Sequence, residues 1–292
     1  MFNAWPYYAL KMISFMVCLL PYSGVLYLGN KLGLLYYHLA GRQRELALSQ
    51  IQECLGLSRL EAQPIIKSSF RKLGKTFFEV LYIPALTPVK LEKYVTIENR
   101  HYLEEARRQG HGVVVLSAHF GNWEWMGAAF AAEKFPVASI VKPQPNDQLS
   151  RILNEYRHMA GIELFTRGTS EMVCAAKAIK QGLILALLAD QDAGPKGLFI
   201  EFLGKMSSTP SGAAIFAKRL KTPVVPIFIV RKPEGGHRIL CYEPLYYEDT
   251  GHEEDDIYRF TQRNTQIIEQ MIKLYPDEWL WFQKRWNTSK TQ

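Results

Sequence analysis

Apolar positions change their rhythm twice along this chain. Residues 12–28 carry no charge, although Pro21 and Gly24 interrupt the run. A spanning helix needs about 20 apolar residues. The stretch therefore predicts a helix embedded in or lying on a membrane, with Lys11 before it and Lys31, Arg42 and Arg44 after it, or a buried helical hairpin bent at Pro21. The sequence shows no convincing signal-peptide cleavage site. A helical module follows. Ser58-Arg59-Leu60-Glu61 has the form of a capping box, and Pro64 either kinks that helix or starts another. Phe70, Leu73, Phe77 and Leu81 recur at helical spacing and predict a core stripe, whereas Lys67, Arg71 and Lys75 lie four apart on another face and predict one that is solvated or faces lipid headgroups.

Beyond residue 110 the apolar residues come in short, continuous, β-branched runs. Strands are predicted at 112–118, 135–141, 183–189 and 223–230, with 238–242 pairing beside the last. Helical patterns at 147–159, 170–180, 211–220 and 256–274 separate or follow them. Alternation of the two predicts an α/β fold: a central, mostly parallel or mixed sheet covered by helices on both faces. No linker-like composition divides the chain. The expected organisation is a membrane-associated N-terminal helical extension, residues 1–40, then one domain over 41–292, made of a helical module (41–105) and an α/β core (106–292).

Composition narrows the class. The 292 residues are 48% hydrophobic and 22% charged, which excludes intrinsic disorder. A formal charge of +7 suits an anionic partner, such as phospholipid, nucleic acid or an acidic carrier protein. Aromatic residues at 12% fit a lipid-handling surface. No nucleic-acid-binding motif accompanies the charge, so nucleic acid is set aside. The four cysteines, Cys18, Cys54, Cys174 and Cys241, form no CxxC pair and do not read as a disulfide framework.

The first strong strand ends in Ser117-Ala118-His119-Phe120-Gly121-Asn122-Trp123-Glu124. Gly121 permits a sharp strand-to-helix turn, Asn122 is a good N-cap, and Glu124 falls in the first helical turn. Side chains there lean back toward the helix start, which brings Glu124 within reach of His119. A carboxylate on one imidazole nitrogen fixes the tautomer and leaves the other nitrogen as a general base. No GxSxG elbow and no obvious serine or cysteine nucleophile is present. His119 and Glu124 thus predict direct transfer, in which the base deprotonates a hydroxyl that attacks an activated carbonyl.

This segment resembles the His-x4-Asp/Glu motif of the bacterial lipid A biosynthesis acyltransferases, within the wider glycerolipid acyltransferase superfamily. The resemblance runs along most of the chain: Lys31-Leu32-Gly33-Leu34-Leu35, Phe77-Phe78-Glu79, a block from Lys142-Pro143 through Asn154, Arg157 and Gly161, Asp190-Gln191-Asp192, Phe202-Leu203-Gly204 with Ser208-Thr209-Pro210, and Tyr275-Pro276 through Trp279, Trp281 and Arg285. It implies His119 as base with Glu124 as its partner, and functional roles for Arg157 and Asp190. Asn122, Gln191 and Arg167 join these as substrate-binding candidates, and Asp192 is a weaker one. Arg157 would anchor a phosphate or polarise a thioester carbonyl; Asp190 would sit at a strand end or simply form a turn. Two departures stand out, Gln283 where a histidine is common and Gln50-Ile51 where Asn-Leu is common, and neither is expected to touch the His119–Glu124 pair.

The resemblance implies an O-acyltransferase at the cytoplasmic face of a bacterial inner membrane. Its donor would be acyl carrier protein (or CoA) and its acceptor a lipid A precursor or related glycolipid, with no cofactor and no metal. A thioester or phosphoester hydrolase using the same turn, a lysophospholipid acceptor, and a non-enzymatic membrane scaffold are the alternatives.

Overall fold

The computed structural model describes residues 5–141, 148–166 and 169–289. Four helices come first: α1 (Trp5–Cys18), α2 (Tyr22–Leu39), α3 (Gly41–Leu55) and α4 (Arg59–Leu81). Pro21 separates α1 from α2, because it has no N–H to continue the first helix and its fixed φ suits the start of the next. Among the described residues, no helix is long and apolar enough to cross a membrane. One face of this pair packs inward. Ser14 donates to the Leu81 carbonyl at 2.6 Å, and Tyr7 donates to Glu155 at 2.5 Å. The other face leaves Trp5, Tyr8, Met12, Met16 and Leu19 exposed.

Helix α4 carries the expected capping box, with Ser58 and Glu61 satisfying each other's backbone N–H, and it runs on through Pro64. Phe70 and Leu81 are buried, while Leu73 and Phe77 are half-buried. The basic stripe is less solvated than its pattern predicts: Lys67 is exposed, but Arg71 and Lys75 are half-buried. The reason is the close approach of α2. A Cβ on Gly33 would stand 2.2 Å from the Phe70 carbonyl oxygen, and one on Gly74 would stand 2.2 Å from that of Gly29. Glycines on both helices let the two backbones touch.

A mixed seven-stranded sheet follows, from β1 (Val95–Glu98), β2 (Val113–Ser117), β3 (Val137–Val141), β4 (Glu163–Thr166), β5 (Ile184–Leu188), β8 (Val224–Arg231) and β9 (His237–Cys241). Its order is β1-β9-β8-β2-β5-β3-β4, parallel throughout except for the antiparallel pair β8/β9. A separate hairpin, β6 (Leu198–Phe202) and β7 (Lys205–Thr209), packs against the last long helix, α11 (Glu253–Leu274). Helices α5 (Pro88–Tyr94), α6 (His101–Arg108), α7 (Trp123–Ala132), α8 (Gln148–Met159), α9 (Thr169–Lys180) and α10 (Gly212–Leu220) complete the chain.

The continuous apolar runs are buried on both faces, as two separate cores show. Val114 and Leu116 enter one core and Val113 and Val115 the other, and in β8 Phe228 and Val230 oppose Ile227 and Ile229. All five predicted strands are present within a few residues, and β9 pairs beside β8 as expected. Strand β1 lies inside the stretch expected to be helical. Its four residues are short and only partly buried, so they leave no apolar run to detect. Four cysteines are free.

Candidate active site

Parallel strands β2 and β5 are hydrogen-bonded neighbours with Ser117 opposite Leu188. Two residues further along, the same register sets His119 beside Asp190. The His119 Nδ1 lies 2.8 Å from Asp190 Oδ1, and the His119 backbone N–H donates to Asp190 Oδ2 at 3.0 Å. Asp190 is fully buried. Its Oδ2 also accepts from Trp279 Nε1 at 2.8 Å and Gln283 Nε2 at 3.1 Å. Burial alone would raise the carboxyl's pKa; the His119 charge and hydrogen bond, with those of Trp279 and Gln283, overcome this and hold it at about 2. Burial likewise works against the His119 imidazolium, but Asp190 and then the Glu124 charge outweigh it and set its pKa above the ordinary imidazole value, with Arg157 opposing.

The carboxylate partner of His119 is therefore Asp190, and Glu124 does not hydrogen-bond to it. Glu124 turns instead to α8, where Arg157 grips it with two prongs, Nε to Oε2 at 2.8 Å and Nη2 to Oε1. A planar guanidinium matches a carboxylate in this geometry better than an imidazole edge does. Trp123 Nε1 adds a third bond to Glu124 at 3.0 Å, and Arg157 Nη1 donates to Asn154. Glu124 still contributes its charge to His119.

Gly121 makes the turn possible. Its φ is +58°, and a Cβ there would lie 2.1 Å from the Ile229 carbonyl oxygen. Asn122 caps α7 by accepting from the Trp125 N–H at 3.1 Å, as its sequence position predicts. Its amide nitrogen donates to Glu79 Oε2 at 2.9 Å, and the residue is fully buried. Fully buried and bonded inside the protein at both amide ends, Asn122 has the geometry of a cap. Asp192 is also structural, accepting from the Gly194 N–H, the Thr288 N–H and the Thr288 hydroxyl. Gln191, between these two anchored aspartates, is exposed, with its amide nitrogen 3.3 Å from His119 Nε2. Arg167 and Lys142-Pro143 lie outside the described residues. Among the described residues, no group of three His, Cys, Asp or Glu side chains is arranged to hold a metal ion.

Two features escaped the sequence reading. Gln283, one of the two departures, donates to Asp190, the carboxylate that holds the imidazole, and Gln50 Nε2 donates in turn to the Gln283 carbonyl at 3.2 Å. Behind the turn stands a buried cluster in which Glu79 receives Arg231 through two bonds at 2.6 and 2.7 Å, Tyr22 at 2.6 Å and Asn122. Glu79 carried no periodicity to mark it. The cleft at His119 is walled by Leu73 and Thr76 of α4, by Trp123, and by Leu280 and Phe282 of the C-terminal segment.

Comparison with known proteins identifies the family. The family described as bacterial lipid A biosynthesis acyltransferase matches residues 1–288. The chain is 24% identical over 273 residues to the lipid A biosynthesis palmitoleoyltransferase of Escherichia coli K12, covering 92% of this chain and 87% of that protein. It is 23% identical over 276 residues to the lipid A biosynthesis acyltransferase of Haemophilus influenzae, covering 92% and 86%. It is also 22% identical over 226 residues to the phosphatidylinositol mannoside acyltransferase of Mycolicibacterium smegmatis, covering 76% and 72%. A match over nearly its whole length means that this chain belongs to the bacterial lipid A biosynthesis acyltransferase family and is an acyltransferase.

Proposed function

We propose that this protein moves a fatty acyl chain from a thioester, on acyl carrier protein or CoA, to a hydroxyl of a lipid A precursor, directly and without a covalent intermediate. One observation carries the reading: the His119 imidazole is clamped through Nδ1 by the buried Asp190 carboxylate, and His119 lines the cleft. Because an ionised carboxylate only accepts, Nδ1 bears the proton and Nε2 has the free lone pair. Nε2 takes the acceptor's proton as its oxygen attacks the thioester carbonyl. Glu124 and Arg157 pair as a nearly neutral unit, and the Glu124 charge acts on the base.

The exposed apolar faces of α1 and α2 support attachment to a membrane. Trp5, Tyr8, Met12, Phe15 and Met16 of α1, Leu19 just after it, and Tyr27, Leu35 and Leu39 of α2 are all more than half exposed. Patches of that kind mark interaction surfaces. Attachment at the cytoplasmic face of an inner membrane would give the site both a soluble donor and a lipid acceptor. Because phosphatidylinositol mannoside acyltransferases are among the relatives, a different glycolipid acceptor is the second reading.

The test is mass spectrometry of lipid extracts from cells that express the protein or its His119→Ala variant. An added acyl mass on a lipid A precursor, lost in the variant, is the expected result. The same mass on another glycolipid selects the second reading. Unchanged acylation by His119→Ala removes the histidine from the mechanism.

A further inference from the structure

Attack on a thioester pushes the carbonyl π electrons onto oxygen, and a donor must meet that charge. Most donors around His119 are already committed. The N–H groups of His119, Phe120 and Gly121 go to Asp190, to the Ala118 carbonyl and to the Glu278 carbonyl. The indole N–H groups of Trp123 and Trp279 go to Glu124 and Asp190. Three of the five Arg157 N–H bonds, one each from Nε, Nη1 and Nη2, go to Glu124 and Asn154. The turn therefore differs from a nucleophile elbow, whose backbone amides await the oxyanion.

Gln191 is different. Its amide nitrogen lies 3.3 Å from His119 Nε2, the atom that the acceptor hydroxyl must approach. The direction of that contact follows from Asp190. With the proton held on Nδ1, Nε2 of the neutral ring accepts, so Gln191 is the donor. The position is also fixed. Asp190 is tied by His119, Trp279 and Gln283, and Asp192 by Gly194 and Thr288, so the side chain projects from a backbone pinned on both sides.

We infer that Gln191 is a catalytic residue that donates its amide N–H to the thioester carbonyl oxygen as it becomes an oxyanion. This rests on His119 acting as the base. An entering hydroxyl takes the Nε2 lone pair and displaces the Gln191 N–H onto the adjoining carbonyl oxygen. The acceptor oxygen then bonds to the carbonyl carbon while its proton passes to Nε2. Collapse of the intermediate returns the electron pair from the oxyanion, breaks the carbon–sulfur bond and expels the sulfur, which takes the proton from the imidazolium. A preorganised donor aimed at the developing charge contributes most where that charge is greatest.

The experiment measures steady-state transfer from dodecanoyl-acyl carrier protein to a lipid A precursor in detergent micelles, using the full chain. Gln191→Ala, Gln191→Glu and His119→Ala are compared with the parent. Gln191→Ala is expected to lower kcat about 10²-fold with KM unchanged, the loss typical of one oxyanion donor. Gln191→Glu is expected to lower kcat further, because a carboxylate repels the oxyanion. It is also expected to raise the apparent pKa of the acid limb, which a purely structural role would leave in place. Parental kcat in Gln191→Ala, with His119→Ala inactive, overturns the inference and leaves the base intact. A raised KM at unchanged kcat overturns it too, by assigning Gln191 to ground-state binding. Activity in His119→Ala removes the base reading beneath it.

Discussion

Asp190 sets the electrostatics of the proposed base. Replacing it by Asn keeps the shape but presents an amide to Nδ1, which favours the wrong tautomer. Asp190→Asn is expected to lower kcat by about 10³–10⁴-fold in the acyl-transfer assay, the scale seen when a histidine loses its orienting carboxylate. The pH dependence has a defined sign. The base works when neutral, so the rate falls as pH drops through the His119 pKa. Asp190 raises that value, and the substitution should move the acid limb to lower pH. Stability follows the carboxyl itself. Its folded pKa of about 2 lies below the ordinary 3.8, so its contribution is full above the ordinary value and is lost as pH falls toward 2. Parent and variant should therefore converge in urea midpoint at the acid end of a pH series.

At the scale of elements, the α2–α4 contact joins the first helices to α4, and the buried Glu79 cluster holds α4 onto the turn at His119. Gly33→Leu must separate two helices whose backbones touch, and overpacking of this kind costs about 1–3 kcal/mol or more; a lowered thermal midpoint checks it. Glu79→Gln leaves Arg231 buried without its counter-charge, for a loss of about 3–5 kcal/mol in urea unfolding. These elements also show what the sequence makes legible. The core strands β2, β5 and β8 announce themselves because burial on both faces demands unbroken apolar runs. Strands β1 and β4, at four residues each, and the half-polar β7 (Lys205–Thr209) leave no such trace. The turn at His119 is legible because Gly121 and Asn122 are dictated by backbone geometry. The partner of His119 is not, since it depends on which strands are neighbours. Pairing the runs 113–117 and 184–188 residue for residue would have placed Asp190 beside His119; helical spacing pointed to Glu124, whose charge Arg157 claims.

Across the whole molecule, exposed apolar surface is unevenly placed. Among the described residues, 22 large hydrophobic side chains are exposed, and 13 of them lie within residues 5–39. Neither α1 nor α2 is built to cross a bilayer, so attachment would place their outer faces in the headgroup boundary, roughly parallel to the surface. Each large apolar side chain transferred from water contributes about 1.5–3 kcal/mol. Replacing Met12, Met16 and Leu19 together by Glu should therefore lower partitioning into phosphatidylglycerol-containing vesicles by at least about a hundredfold in a sedimentation assay. The charge of +7 adds a salt-sensitive part, so raising ionic strength should weaken the parent's binding only partially. Undiminished binding by the triple variant would move the attachment surface elsewhere, and complete release by salt alone would reduce it to electrostatics. Because those three side chains point away from the folded core, the variant should keep its thermal midpoint, and a loss of transfer to a lipid acceptor would then report lost access to the membrane rather than a damaged site.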